Sequence, residues 1–363
     1  MLVNEILNRL PSTVWTSEST TFLDPAMGAG QFVSQIEKRL KAHGHSKANI
    51  AKRVFGLESS AMQVAIAVNL GKLIGTYAVD KDHEGLLSNR VCEVLGVPSM
   101  KFDVVVGNPP YQETSDTREG ESSRSSVRLW EKFLQVGMDV LSDDGDLMFV
   151  TPAHWVGSTS SSFNLLSTNT VVFADLSDSV KNSFGGVGGS MRFSWYWAKK
   201  GKSSVVPLIK FNDAELEVDL FNMEFQPVKS SSGLDYSICQ KLHAFTAERL
   251  SWKRQDNEHA PLAKYEVSVH RAKGSNFPVE VTTDGSGIGY TFSTNNKAVA
   301  SAVAHNMGLK LYKHLRWVLR PGMALVSTFT LLPVPTEKMS DRELYDHFGL
   351  SEEERAHVDR TIK

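Results

Sequence analysis

Phe22-Leu23-Asp24-Pro25-Ala26-Met27-Gly28-Ala29-Gly30-Gln31-Phe32 is the stretch on which the reading of the N-terminal half turns. A short apolar run ends in a carboxylate, passes a turn with two glycines two positions apart, and opens into a helical pattern. Over 31–43, Phe32, Val33, Ile36 and Leu40 recur at helical spacing. Glycines in such a turn let the backbone approach a ligand closely and deliver it to a helix N-terminus. The turn lacks the Gly-Lys-Ser/Thr ending of a phosphate-binding loop and the third glycine of the dinucleotide fingerprint, so a nucleotide without a pyrophosphate fits better. A second apolar run, Val54-Phe55-Gly56-Leu57-Glu58, also ends in an acid, where a carboxylate can accept both ribose hydroxyls. The pair favours an adenosyl ligand.

Outward from this stretch, apolar runs alternate with helical patterns, as in an α/β protein with a parallel sheet. Strands are predicted at 21–24, 53–57, 102–106, 146–151, 171–175 and 192–199, and helices at 31–43, 61–74 and 127–141. Three polar or glycine-rich stretches interrupt the pattern: Ser115–Ser126, Ser158–Ser162 and Gly185–Gly189. After Lys202 the sequence turns irregular and mixed, with strand-like runs at 265–269 and 323–332, an extended segment at 331–336 and a charged helix or helix pair over 340–361. The expected domains are 1–201, 202–336 and a helical tail at 337–363.

The chain has 363 residues, 41% of them hydrophobic and 22% charged, which supplies a sizeable core and excludes disorder as a whole. No run approaches the length of a membrane span, and the start MLVNEILNRLP has no basic region followed by a long apolar run, so a cytoplasmic location is expected. Cys92 and Cys239 are too few for a disulfide framework or a cysteine-rich metal site, and the pair His43 and His45 lacks ligand company, so no metal is expected. The formal net charge is −2, yet residues 241–330 hold twelve Lys and Arg against six Asp and Glu. That excess is compatible with phosphate contacts and equally with a solvated face.

A second motif carries the chemistry. Phe102-Asp103-Val104-Val105-Val106-Gly107-Asn108-Pro109-Pro110-Tyr111 is an apolar strand running into two prolines, which stiffen the backbone and remove two donors. An exocyclic aromatic amine is a poor nucleophile because its lone pair is conjugated with the ring. Two acceptors, the Asn108 side-chain carbonyl and the Pro109 main-chain carbonyl, can hold both amine hydrogens and stabilise the positive charge that develops on nitrogen. Tyr111 offers a flat face for a base. Taken alone, the same four residues would be a rigid turn.

With both motifs present, the chain resembles the N6-adenine DNA methyltransferases that use S-adenosyl-L-methionine, in the branch that places the cofactor motif first and target recognition at the C-terminal end. The resemblance covers the first two hundred residues and resumes at Leu331–Pro335 and Ser340–Glu354. It implies a Rossmann-like sheet with a smaller mixed C-terminal target-recognition domain. It implies cofactor contacts by Asp24, Pro25, Ala26, Gly28, Gly30 and Phe32, a ribose contact by Glu58, and a contact near the cofactor adenine by Glu93, for which a solvated surface glutamate is the alternative. Asn108, Pro109, Pro110 and Tyr111 would be catalytic. Relatives usually carry a Phe-Thr-Pro-like segment ahead of the stretch equivalent to Leu2–Leu10, where this sequence begins, so either the start is truncated, another segment covers the pocket, or cofactor binding is weak.

A base in duplex DNA must leave the stack to be methylated, so the pocket needs a second aromatic wall. Phe193, Trp195 and Trp197 alternate onto one strand face, and Trp195 or Trp197 is preferred, against an ordinary aromatic sheet face. Arg118 and Arg124 in Ser115–Ser126 suit a loop that orders over DNA, or a solvated linker. Arg254, Gln255, Asn257, Arg271, Lys273, Asn276, Asn295 and Asn296 are candidates for reading bases in double-stranded DNA. A monomer that works alongside a cognate restriction endonuclease is expected. Rival readings are glutamine or RNA methylation, which share the amine chemistry, and a catalytically silent DNA-binding or anti-restriction protein that keeps the motifs as scaffold.

Overall fold

A computed structural model describes residues 2–81, 90–111, 128–157, 160–183, 192–223, 225–227, 230–255, 260–269, 279–286, 289–319 and 331–362. The chain divides into two compact units, residues 1–155 with 159–218 and residues 156–158 with 219–363. The first is built on a nine-stranded sheet in the order β3-β2-β1-β4-β5-β7-β6-β8-β9. Its strands are β1 Phe22–Asp24, β2 Val54–Glu58, β3 Thr76–Val79, β4 Phe102–Gly107, β5 Leu141–Pro152, β6 Thr170–Asp175, β7 Phe193–Lys199, β8 Leu208–Lys210 and β9 Glu215–Glu217.

Strands β1 to β5 are parallel, β7 runs antiparallel between β5 and β6, and β9 closes the far edge antiparallel to β8. From β1 the chain first builds outward through β2 to β3, then returns to β4 on the other side of β1. The strand order therefore reverses between β1 and β4, and in open α/β sheets ligands bind outside the carboxyl ends of the strands at such a point. The expected α/β fold with a Rossmann-like sheet is the fold observed.

Burial explains the elements. Val104, Val105 and Val106 of β4 are covered on both faces, as befits a central parallel strand. The helix Gln31–Ala42 buries Phe32, Val33, Ile36 and Leu40. The helix predicted at 61–74 is α-helical only over Ala61–Ala65 and continues as a π-helical turn, Ile66–Leu70.

Three strands of the first unit, β3, β8 and β9, escape the sequence reading. β3 is short, and it is held by Glu37, a carboxylate buried on the helix Gln31–Ala42. One oxygen of Glu37 accepts from the backbone N–H of Ile74 and of Gly75, each at 2.8 Å, and from the Tyr77 hydroxyl at 2.7 Å. β8 pairs with β6, and Lys210 on it meets the fully buried Asp175 at 2.9 Å and Glu5 at 2.8 Å. Because β8 and β9 complete the sheet, the first unit ends at Val218 rather than at residue 201.

The second unit contains an antiparallel sheet, order β10-β13-β11-β12, formed by Trp252–Gln255, Gly289–Thr294, Tyr265–Val269 and Val279–Thr282. The helix Lys297–Met307 packs on β11, β12 and β13. Residues 337–363 are not a separate tail. Their helices Asp341–His347 and Glu352–Thr361 each begin with a serine capping box, and Glu354 accepts from Ser237 at 2.7 Å and Lys241 at 2.6 Å on the helix Gly233–His243. Among the described residues no helix is long and apolar enough to cross a membrane.

Glu37→Ala would leave two half-buried N–H groups and a half-buried hydroxyl without their acceptor, each costing roughly 1 kcal/mol. Urea unfolding of this variant is expected to show a loss of at least ~2 kcal/mol, whereas an alanine at the exposed Lys38 on the same helix should cost under ~0.5 kcal/mol.

Candidate functional site

Four carboxyl ends bring the candidate residues together. Asp24 closes β1, Glu58 closes β2, Asp80 follows β3, and Asn108 follows β4. β1 and β4 are in register with Phe22 opposite Val104 and Leu23 opposite Val105, which sets Gly107 against the Asp24 side chain. A Cβ on Gly107 would lie 2.9 Å from the Asp24 Oδ1, so only glycine lets the two strand ends meet this closely.

The turn after β1 is shaped by its glycines. Gly28 and Gly30 have φ of 55° and 84°, the left-handed region that glycine enters without strain, and Gly30 is the N-cap of the helix Gln31–Ala42. Glu58 holds the turn: its Oε2 accepts from the Gly28 N–H at 2.8 Å, while its Oε1 accepts from the Ser60 N–H and the Ser59 hydroxyl, both at 3.1 Å. Gly56, one strand over, keeps space for Met27, whose sulfur a Cβ there would meet at 2.6 Å.

Asp24 is buried and accepts from the Ala26 N–H at 3.1 Å. Burial pushes its carboxyl up to about 8, the Ala26 N–H opposes that shift, and the charge of Glu58 adds to it. A neutral acid is thus held where a cation would convert it to its counter-ion.

At the end of β4, Asn108 is exposed, Pro109 is buried, and Pro110 and Tyr111 are half-buried. The Tyr111 hydroxyl donates to the Asn108 Oδ1 at 2.6 Å, which fixes the amide and uses one of that oxygen's two lone pairs. Burial pushes the Tyr111 phenol up to about 12, against the opposing hydrogen bond with Asn108, so it remains a donor at neutral pH. Its ring lies 5.1 Å from that of Phe193, tilted by 45°.

Several expectations are corrected. Phe32 turns into the core of the first unit and supports the turn by packing. Glu93 is 57% exposed on the surface helix Val91–Val94 and pairs with Arg90. The third carboxylate at the sheet edge is instead the buried Asp80, whose N–H donates to the Glu58 carbonyl at 2.8 Å. Its signal was present: Thr76-Tyr77-Ala78-Val79-Asp80 repeats, in short form, the apolar run ending in an acid.

Trp195 has no exposed surface and packs 4.8 Å from Phe173, so it cannot receive a base. Trp197 is committed through its indole N–H to Asp146 at 2.7 Å. Because β7 runs antiparallel to β5, its N-terminal end, and hence Phe193, arrives at the carboxyl ends of the parallel strands. Phe193 is the ring that meets Tyr111.

In the second unit, the Asn296 side chain caps the helix Lys297–Met307, and the Asn295 Oδ1 accepts from the Lys264 N–H at 3.1 Å. Arg254 and Gln255 lie on β10. Arg118, Arg124, Asn257, Arg271, Lys273 and Asn276 lie outside the described residues, as do the glycine cluster 185–189 and most of the run 323–332.

Comparison with known proteins adds the following. Residues 46–180 match the model of the Eco57I restriction-modification methylase family. No curated protein matches the chain. Solved structures with similarity include a Listeria monocytogenes protein assigned to the class I S-adenosylmethionine-dependent methyltransferases, at 17% identity and a TM-score of 0.40 over 57% of this chain and 60% of that one. A Vibrio vulnificus protein assigned as the modification subunit of a type I restriction enzyme is similar at 14% identity and a TM-score of 0.42, over 82% of this chain and 58% of that one. The DNA-bound, ATP-dependent Type ISP restriction-modification enzyme LlaBIII is similar at 16% identity and a TM-score of 0.41, over 61% of this chain and 20% of that one. The chain thus spans less than two thirds of each of these three proteins.

The raised Asp24 carboxyl has a pH signature. The native state holds a proton that the unfolded state releases near the ordinary 3.8, so the contribution of Asp24 to stability falls as pH rises from about 4 to about 8. Asp24→Asn removes that dependence. Chemical denaturation at pH 5.5 and pH 8 should show the variant gaining on the wild type by up to about 1.4 kcal/mol per pH unit, and parallel curves for the two proteins would contradict the assignment.

Proposed function

We propose that the chain is a DNA methyltransferase that uses S-adenosyl-L-methionine and modifies the N6 amine of an adenine swung out of duplex DNA. The observation that carries this reading is the position of Asn108-Pro109-Pro110-Tyr111 at the carboxyl end of β4, beside the glycine turn of β1, where the strand order reverses. The match of residues 46–180 to a restriction-modification methylase family supports DNA as the substrate.

The residues fit the cofactor. Two left-handed glycines clear the backbone of the turn, a buried acid stands at its start, and two further carboxylates line the adjacent strand ends. Asp24 would hold the methionine ammonium, Glu58 the ribose hydroxyls through lone pairs its present donors leave free, and Asp80 takes the part expected of Glu93. Pro25, Ala26, Gly28 and Gly30 supply main-chain contacts. The cofactor, when bound, supplies an electrophilic methyl group on a sulfonium.

Everything else falls to this chain. The second lone pair of the Asn108 Oδ1 and the Pro109 carbonyl accept the two amine hydrogens and draw the nitrogen toward tetrahedral geometry. Positive charge then develops on a nitrogen already flanked by two acceptors, which is where preorganised dipoles stabilise a transition state most. No strong general base is required, because the amine proton becomes acidic only as that charge forms. Tyr111 presents its ring to the base, and Phe193 braces that ring from behind. The second unit, with the basic balance of residues 241–330, reads the target sequence, and Arg254 and Gln255 are its described candidates.

Transfer of labelled methyl groups from S-adenosyl-L-methionine to unmethylated duplex DNA tests this. Label is expected in N6-methyladenine, lost by about 10²-fold or more in Asn108→Ala and reduced to a lesser degree in Tyr111→Phe, which keeps the ring and loses only the hydrogen bond. Label in protein or RNA in place of DNA, or cofactor binding with no transfer, would sink the proposal.

A further inference from the structure

Within the second unit, three side chains from three helices converge on one point. Asp235 lies on Gly233–His243, His314 on Lys310–Val318 and His357 on Glu352–Thr361. His314 Nε2 lies 2.6 Å from Asp235 Oδ1, and His357 Nε2 lies 2.9 Å from the same oxygen. Asp235 and His314 are buried, and the His357 side chain keeps 15% of its surface exposed. Among the described residues this is the one group of three or more acidic, histidine or cysteine side chains whose ligand atoms gather within 4.8 Å of one another.

The outer contacts of the cluster orient its rings. The Thr361 hydroxyl lies 2.7 Å from His314 Nδ1 and within reach of the carbonyls of His357 and Val358, at 3.1 and 3.0 Å. With its proton on Nε2, His314 donates to Asp235 Oδ1; with its proton on Nδ1, donated to Thr361, it turns a bare Nε2 lone pair toward the same carboxylate, the arrangement of two ligands around a cation. The remaining oxygen of Asp235 accepts from the Ser230 hydroxyl, which orients the carboxylate.

We propose that Asp235, His314 and His357 bind one divalent transition-metal ion, of the chemistry of zinc, through Oδ1, Nε2 and Nε2. Two imidazoles and a carboxylate are a donor set that zinc takes, with a fourth position left to water. Thr361 behind His314 and Ser230 behind Asp235 are the outer hydrogen bonds that orient metal ligands and set the imidazole tautomer. Asp235 Oδ1, which faces both Nε2 atoms, is the oxygen ligand. Metal–nitrogen bonds of about 2.0–2.1 Å require the ligand atoms to open by roughly half an ångström from their present contacts, through small shifts of both the His314 and the His357 rings away from Asp235 Oδ1. The ion would pin together the three helices that form this face of the second unit.

The full chain, stripped with a chelator and dialysed, is titrated with zinc chloride and separately with cobalt chloride. One zinc per chain is expected, with a rise of several degrees in the unfolding midpoint and with visible d–d bands of four-coordinate cobalt. His357→Gln, at the accessible ligand, should weaken binding by about 100-fold or more while the metal-free variant melts like the stripped wild type. Asp235→Asn should abolish stoichiometric uptake. A stripped wild-type chain that takes up neither ion, or a His357→Gln variant that binds zinc as tightly as wild type, would overturn the proposal and leave the three side chains as a hydrogen-bonded cluster.

Discussion

The meeting of β1 and β4 is the constraint on which the first unit depends. These strands run in parallel at the centre of the sheet, and the chain departs from β1 in one direction and returns to β4 in the other. Their carboxyl ends approach so closely that Gly107 faces the carboxylate of Asp24 with no space for a side chain. From this one contact follows the burial of Asp24, its reluctance to ionise, and the projection of Asn108 just beyond the strand. An alanine at Gly107 would therefore disturb both motifs together, although they are more than 80 residues apart in sequence.

Around that contact the site is assembled by hydrogen bonds that each serve two ends. Glu58 shapes the glycine turn through one oxygen and the start of the next helix through the other. Tyr111 orients the Asn108 amide while its ring packs at a tilt against Phe193. The polar groups of the site are thus held in place before any ligand arrives, which is the condition under which dipoles contribute most to catalysis, because no reorganisation is then needed.

Much of this was legible in the sequence, and the exceptions have physical causes. The strands bearing Asp24, Glu58 and Asn108 are buried on both faces and read as apolar runs; the helix after Gly30 shows its period in Phe32, Val33, Ile36 and Leu40. β3 did not read so, because it is a short edge strand with partly exposed side chains that is secured by Glu37, a charged residue whose burial no local pattern announces. The choice among Phe193, Trp195 and Trp197 depends on the direction of β7, and alternation assigns residues to a face without saying which end of the strand meets the site. The convergence of Asp235, His314 and His357 was equally invisible, since the helices that bear them are separated by 79 and 122 residues from the first.

The order of the strands has a consequence for the chain as it is being made. β1 leaves the ribosome before either of its neighbours, and one of them, β4, is translated some 80 residues later, as the pairing of Thr21 with Asp103 marks. Until then the middle of the future sheet is an open edge, the kind of surface on which nascent chains associate wrongly. β1 is only three residues long, and Pro25, which has no N–H to offer, follows it at once. The glycine turn after β1 thereby also limits how much unpaired strand the growing polypeptide exposes.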